Sequence, residues 1–150
     1  MASDPETIQS IRDLLESQST MTLATVDEHG VPDATPLFYL LQDDMTLYWL
    51  SSATSRHSVN LCRQPQTAVS VYVSVSRWEL IRGVQMEGTA REVTDRKRCE
   101  EVISAYRNRF QLGAMLSLAI SQSSVYEFRP AWLRYIDNSR GFGYQIEIKR

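Results

Sequence analysis

"TMTLATVDEHGVPDATPLFYLLQDDMTLYWLSS", residues 20–52, decides the fold. Three short apolar runs, Thr22 to Val26, Ala34 to Leu41 and Thr46 to Leu50, are separated by the turn formers DEHG and QDD. The spacing predicts three consecutive strands in an antiparallel meander. The third run ends in "SSATSRHSVNL", residues 51–61, a burst of small hydroxyl residues followed by Arg56, His57 and a predicted helix near 55–63. Hydroxyls and a cation at a helix start suit an anion, because the first turn offers unpaired N–H groups and the positive end of the helix dipole. An ordinary N-cap explains the same residues, since Ser and Thr are preferred there in any helix.

On the N-terminal side, Asp4 can cap a helix with Pro5 at its first position, and Ile8, Ile11, Leu14 and Leu15 recur at helical spacing up to about Ser17. On the C-terminal side, Pro65 closes the 55–63 helix and "TAVSVYVSV" (67–75) reads as a strand of alternating β-branched residues. "WELIRGVQMEGTAREV" (78–93) reads as one long strand, with Gly83 and Gly88 as points of bulging or close approach. After Thr94 the period changes: Cys99, Val102, Ile103, Tyr106 and Phe110 share one helical face, opposite Arg96, Lys97, Glu100 and Glu101. A second short helix over Leu112 to Ala119 and two last strands, "SVYEFRPAWLRYI" and "FGYQIEIK", complete the chain. Six or seven antiparallel strands with inserted helices predict a mainly β fold, a small barrel with few exposed edges.

The 150 residues, 43% hydrophobic, predict one domain over 1–150, with an N-terminal helix in 1–18 and a helical insertion in 94–119. A net charge of −2 argues against a nucleic-acid or anionic-membrane partner. Fourteen Arg against two Lys weakly favour bidentate recognition of phosphate or carboxylate, although coding bias gives the same ratio. Cys62 and Cys99 fall in predicted helices without metal-ligand spacing, so neither a metal nor a disulfide is expected. No signal pattern and no membrane-length apolar run occur, which predicts a cytoplasmic protein. His29 sits in a turn and His57 in the anion-binding candidate, so a Ser–His–Asp triad can be assembled only arbitrarily. Neither a dinucleotide fingerprint nor a P-loop is present.

"TLATVDEHGVPDATPLFYL", "LYWLSSATSRHSVNL" and "IRGVQMEGTAREV" together resemble the FMN-binding split-barrel superfamily related to pyridoxamine 5′-phosphate oxidase. "AYRNRF", "AMLS" and "IDNSRGFG" are similar to its YhbP-like branch, and the likeness spans nearly the whole chain. The resemblance implies a six-stranded antiparallel split barrel that forms a homodimer, with one FMN in each of two clefts between subunits. It implies that Ala34, Thr35, Pro36, Leu37 and Phe38 lie along the isoalloxazine ring. It implies further that the segment holding Ser51, Ser52, Thr54, Ser55, Arg56 and His57 wraps the phosphate, and that Arg82 and Gly83 adjoin the flavin. Arg140 beside Phe142 would close one wall of the cleft, or serve only the turn formed by Asp137, Asn138, Gly141 and Gly143.

Departures from the oxidase matter. His57 replaces a second cation and is only partly charged near neutral pH. Gly83 stands where the oxidase has an amide side chain, leaving room for a larger substrate or letting two strands approach. The oxidase's basic substrate site has no counterpart, so vitamin interconversion is not expected. Arg107 and Arg109 suit a helix C-terminus better than a substrate anion. Trp49, Tyr72, Trp78 and Trp132 are wall or stacking candidates, or core residues. The reading is an FMN-dependent oxidoreductase acting on a small-molecule substrate or electron donor, with no assigned catalytic residue. Its rivals are a haem- or deazaflavin-binding barrel and a non-catalytic flavin-binding or sensing dimer.

Overall fold

In the computed structural model the described residues are 4–42 and 44–150; the first three residues of the expected N-terminal segment and Asp43 of the QDD turn lie outside them. Helix α1 (Pro5–Ser17) begins where Asp4 accepts the Glu6 N–H at 3.4 Å, and it buries Ile11, Leu14 and Leu15. Strands β1 (Thr20–Val26) and β2 (Pro32–Phe38) form a hairpin that turns at Gly30, whose φ of +80° only glycine adopts freely. Next come β3 (Leu40–Leu41), β4 (Leu47–Ser51), helix α2 (Arg56–Arg63), β5 (Gln66–Tyr72) and β6 (Arg82–Glu92). Helix α3 (Arg96–Phe110), the short α4 (Ser117–Ser121), β7 (Ser124–Asp137) and β8 (Gln145–Lys149) complete the order.

The strands form one antiparallel sheet in the order β2-β1-β5-β6-β7-β4-β3, with β8 paired to β7 beside β4. The strand expected over Ala34–Leu41 is broken at Tyr39. That residue is buried, and it donates its N–H to Ser19 O (3.1 Å) and its hydroxyl to Leu15 O (2.5 Å). β2 and β3 are therefore adjacent in the chain yet lie at opposite ends of the sheet, and one residue must join the ends. The sheet curls to allow it. The result is an open, eight-stranded half-barrel and not the closed six-stranded barrel of the sequence reading, because the last seam is made by chain continuity and not by a hydrogen-bonded ladder.

Inside the curl, Leu23, Leu47, Trp49, Val84, Met86, Phe128 and the α1 residues Ile11 and Leu15 are fully buried in one cluster. Each contributes about 1.5–3 kcal/mol by leaving water. α3 packs Val102 and Tyr106 on the other side of the sheet, against Leu40, Tyr48 and Val125. The long strand expected over 78–93 opens instead as a 3-10 turn, Trp78–Leu80, and begins at Arg82. No helix of the described residues is long and apolar enough to cross a membrane.

Gly88 marks the close approach that its position suggested. Glu87 and Gly88 face Trp132 and Pro130, leaving Ala131 as the extra residue of a bulge in β7. A Cβ on Gly88 would collide with the carbonyl of Arg129 and with Pro130, both main-chain neighbours that cannot rotate away. Gly88→Ala is therefore expected to destabilise by about 1–3 kcal/mol, as overpacking does. A fall in the urea midpoint at unchanged m-value measures it.

Candidate functional site

The hydroxyl-rich turn and α2 are fixed from below. On α2, His57, Ser58, Asn60 and Leu61 face inward, and Asn60 Nδ2 donates to Thr25 Oγ1 of β1 at 3.0 Å. Arg56, Val59, Cys62 and Arg63 are left outside. Arg63 reaches back to Glu28 in the β1–β2 turn at 2.9 Å. α2 is thereby laced to the hairpin whose second strand is β2.

β2 is an edge strand paired only with β1, so every second residue turns unpaired backbone groups outward. Ala34, Pro36 and Phe38 are exposed; Thr35 and Leu37 are half-buried on the inner side. Phe38 rests its ring 4.6 Å from that of Phe110 at the end of α3. At the other end of the strand the structure brings β2 against the turn after β4. Arg56 Nη1 lies 3.9 Å from Asp33, and Nη2 lies 3.9 Å from Asp27 of the hairpin turn. Asp27 was read in the sequence only as part of the DEHG turn and Asp33 was given no role, and their place beside Arg56 depends on the packing of α2 on the hairpin.

Within the turn, Ser52 Oγ and Thr54 Oγ1 are 2.9 Å apart, and both residues are exposed. Ser55 sits at the N-cap position, but its hydroxyl donates to Ser52 O (2.8 Å), lies 2.7 Å from the Ser58 hydroxyl and caps no helical N–H. The simple cap reading of this serine is thus not realised, and the first-turn N–H groups keep their donors. His57 is 7% exposed, with Nε2 2.5 Å from Ser51 Oγ and 3.1 Å from Ser55 Oγ. Burial lowers its pKa from the ordinary 6.5, partly opposed by the charge of Asp33. The partly charged imidazole of the sequence reading is instead a neutral latch that ties the end of β4 to the start of α2.

The remaining candidates lie elsewhere in the chain. Gly83 is buried opposite Tyr72 on β5, and an added Cβ would stand 3.2 Å from Tyr72 Cβ and Val71 O, so it serves strand approach and opens no room. Arg82 faces Asp137 in register. β6 is separated from β2 by β1 and β5, about 14 Å at the usual strand spacing. Arg140 points to Glu6 (3.5 Å), Asp137 (3.8 Å) and Tyr144, while Phe142 stacks edge-on against Trp78, both exposed. One chain therefore brings the Asp33 end of β2 to Arg56 at the start of α2, leaves Phe38 at the other end of the strand against Phe110, and holds Arg82 and Gly83 three strands from β2. Of the aromatic candidates, Trp49 is core, stacked on Tyr126, and Trp132 carries Arg134 over its ring. Arg109 donates to Glu16 O and so ties α3 to α1. The outward small side chains Thr22, Ala24, Ala68 and Ser70 floor a shallow groove of about 340 Å³, bounded by Trp132 and Arg134.

The family model described as pyridoxamine 5′-phosphate oxidase matches residues 7–137. The UPF0306 protein YhbP of Escherichia coli O157:H7 (strain EC4115) is 32% identical over 144 residues, which span 94% of this chain and 92% of that protein. The fold is shared with a heme binding protein from Mycobacterium smegmatis (TM-score 0.78, 20% identity, 99% of this chain and 60% of that one). It is shared also with a Clostridium acetobutylicum protein related to general stress protein 26, described as of the pyridoxinephosphate oxidase family (TM-score 0.72, 18% identity, 98% and 96%).

The His57 latch sets a pH dependence. An imidazole that is harder to protonate in the folded chain than in the unfolded one contributes stability above pH 6.5, and that contribution is lost as pH falls through the folded value. The urea midpoint of the native chain should fall between pH 7.5 and 5.5 by more than that of His57→Gln, which has no imidazole to charge.

Proposed function

The chain belongs to the pyridoxamine 5′-phosphate oxidase family, and from that premise we propose that it binds a planar cofactor with an anionic tail, FMN before others. One observation carries the reading: the exposed hydroxyls of Ser52 and Thr54, 2.9 Å apart, and the exposed Arg56 guanidinium lie at the start of α2, whose Arg56 reaches the edge strand β2 at Asp33. The hydroxyls and first-turn N–H groups would hold the phosphate, and the Arg56 guanidinium would oppose its charge. His57, neutral and buried, keeps Ser51 and Ser55 in place. The backbone of Ala34 to Phe38 would orient the ring at its polar edge. Bound FMN would supply electron transfer to or from a small organic molecule, and the protein supplies orientation and exclusion of water.

The native unit under this reading is a two-fold homodimer. The groove over Thr22, Ala24, Ala68 and Ser70 is a flat, small-residue face suited to a second copy. The copy would bring its Arg82, Gly83 and Arg140 to the cleft, which a single chain leaves three strands from β2. Sedimentation should give a dimer at micromolar concentration; a monomer that still holds cofactor would contradict the shared cleft.

The fold shared with the heme binding protein favours a second reading, a haem carrier or store. The same cation would then take a propionate. Its axial ligand is the difficulty: His57 is spent on two serines, and His29 stands exposed on the hairpin turn. A third arm is a non-catalytic flavin sensor, separable from an oxidoreductase by whether NAD(P)H reduces the bound flavin without oxygen.

Titration of the purified chain with FMN, riboflavin and haemin decides among these. FMN should bind at tens of micromolar or tighter, and riboflavin at least about tenfold more weakly, a difference of roughly 1.4 kcal/mol. Arg56→Ala removes a charge-assisted contact of about 1.5–3 kcal/mol, so FMN affinity should fall about tenfold to a hundredfold while riboflavin barely changes. A Soret band with haemin, and no binding of either flavin, would replace the flavin reading with the haem one.

A further inference from the structure

We propose that Asp27 and Asp33 set the charge selectivity of the Arg56 site, disfavouring a doubly charged phosphate monoester relative to a singly charged tail. The inference rests on Arg56 being the anion's partner, as in the functional reading above. In the free chain the Arg56 guanidinium lies between the two carboxylates, 3.9 Å from each. That distance is too long for a hydrogen bond, and the side chain is 61% exposed. The carboxylates therefore attract the guanidinium without clamping its rotamer or using its N–H donors. Their main effect on an incoming anion is charge, not preorganisation.

Both acids are fixed in place. Asp27 Oδ1 accepts the N–H groups of Val31 (2.9 Å) and His29 (2.8 Å), and these bonds, Val31 first, hold its pKa below the ordinary value. Asp33 is largely shielded and accepts from Thr35 Oγ1 at 3.3 Å. A second cation joining α2 to the hairpin, Arg63, is engaged by Glu28 at 2.9 Å. His57 adds no compensating charge, since burial keeps it neutral. An anion bound to the outer side of Arg56 would lie within the Debye length of about 8 Å from both carboxylates, so screening by physiological salt is incomplete. The repulsion scales with ligand charge, and a dianion feels it twice as strongly as a monoanion.

The test compares FMN, the singly charged riboflavin 4′,5′-cyclic phosphate, and riboflavin on the native chain, Asp33→Asn, Asp27→Asn and Arg56→Ala. Asn keeps the carbonyl oxygen that Thr35, His29 and Val31 use, so the hairpin stays intact. Each Asn variant should bind FMN about threefold to tenfold more tightly, the cyclic phosphate by about the square root of that factor, and riboflavin unchanged. Equal gains for the singly and doubly charged tails would overturn the proposal. So would FMN affinity that is unchanged or weaker in Asp33→Asn while Arg56→Ala still weakens it; the acids would then be neutral or orienting, and the anion site itself would stand. If Arg56→Ala leaves the FMN-to-riboflavin ratio unaltered, or no flavin binds any variant, the underlying site reading falls and this inference with it.

Discussion

The contact between Gly88 and the Arg129–Pro130 main chain is the constraint on which the rest of the sheet depends. β7 is buried at Tyr126, Phe128 and Pro130 before the bulge and at Leu133, Tyr135 and Asp137 after it. The extra residue, Ala131, reverses the alternation, so both halves still turn their large side chains to one interior. Pro130, which has no N–H to give a ladder, sits at this break, and there the edge of β7 passes from β4 to β8. β4 pairs with Ser124–Phe128 and β8 with Trp132–Ile136, so two short strands share one side of β7 on either side of the bulge.

Bending the sheet there also places the candidate site. Once β4 is held against the first half of β7, its end at Ser51 is delivered to the rim of the curl, and the chain must return across the opening to β5. α2 makes that return, with Leu61 in the core and Asn60 bonded to Thr25. The inward set of residues 57, 58, 60 and 61 leaves Arg56 as the outward cation of the first turn. Its neighbours follow from the same packing, since the hairpin that Asn60 and Arg63 hold is the one carrying Asp27 and Asp33. The position of Arg56 between two carboxylates is thus a consequence of core burial on the opposite face of its helix.

Period and punctuation made much of this legible in the sequence. Ile8, Ile11, Leu14 and Leu15 marked α1, and Val102 and Tyr106 marked the buried stripe of α3, because each helix packs one apolar stripe. Gly88 could be named as a close approach from its place in a strand pattern. The break at Tyr39 could not, since "LFYLL" is uniformly apolar, and only the hydrogen bonds to Ser19 and Leu15 show where the chain leaves one end of the sheet for the other. The family resemblance pointed to the segment from Ser51 to His57, yet the state of His57 was hidden. Imidazole charge depends on burial and on which hydroxyls face it, and neither is encoded in the spacing S-x₅-H. Asp27 and Asp33 were invisible as site residues for a related reason: they come from another hairpin, and their role exists only in three dimensions.

The same half-barrel, at about a fifth identity, occurs in a heme binding protein and in a protein of the pyridoxinephosphate oxidase family, so the sheet alone does not assign a cofactor. Any preference for one cofactor would then reside in side chains and not in the sheet. Among the described residues, α2 and the turn before it offer the exposed Arg56 guanidinium, with Arg63 engaged by Glu28, and a run of hydroxyls, while the buried His57 imidazole already bonds two serines. If an anionic tail binds beside Arg56, as proposed, it would meet a guanidinium that stands 3.9 Å from two fixed carboxylates, and the local field would weigh on which anion is retained.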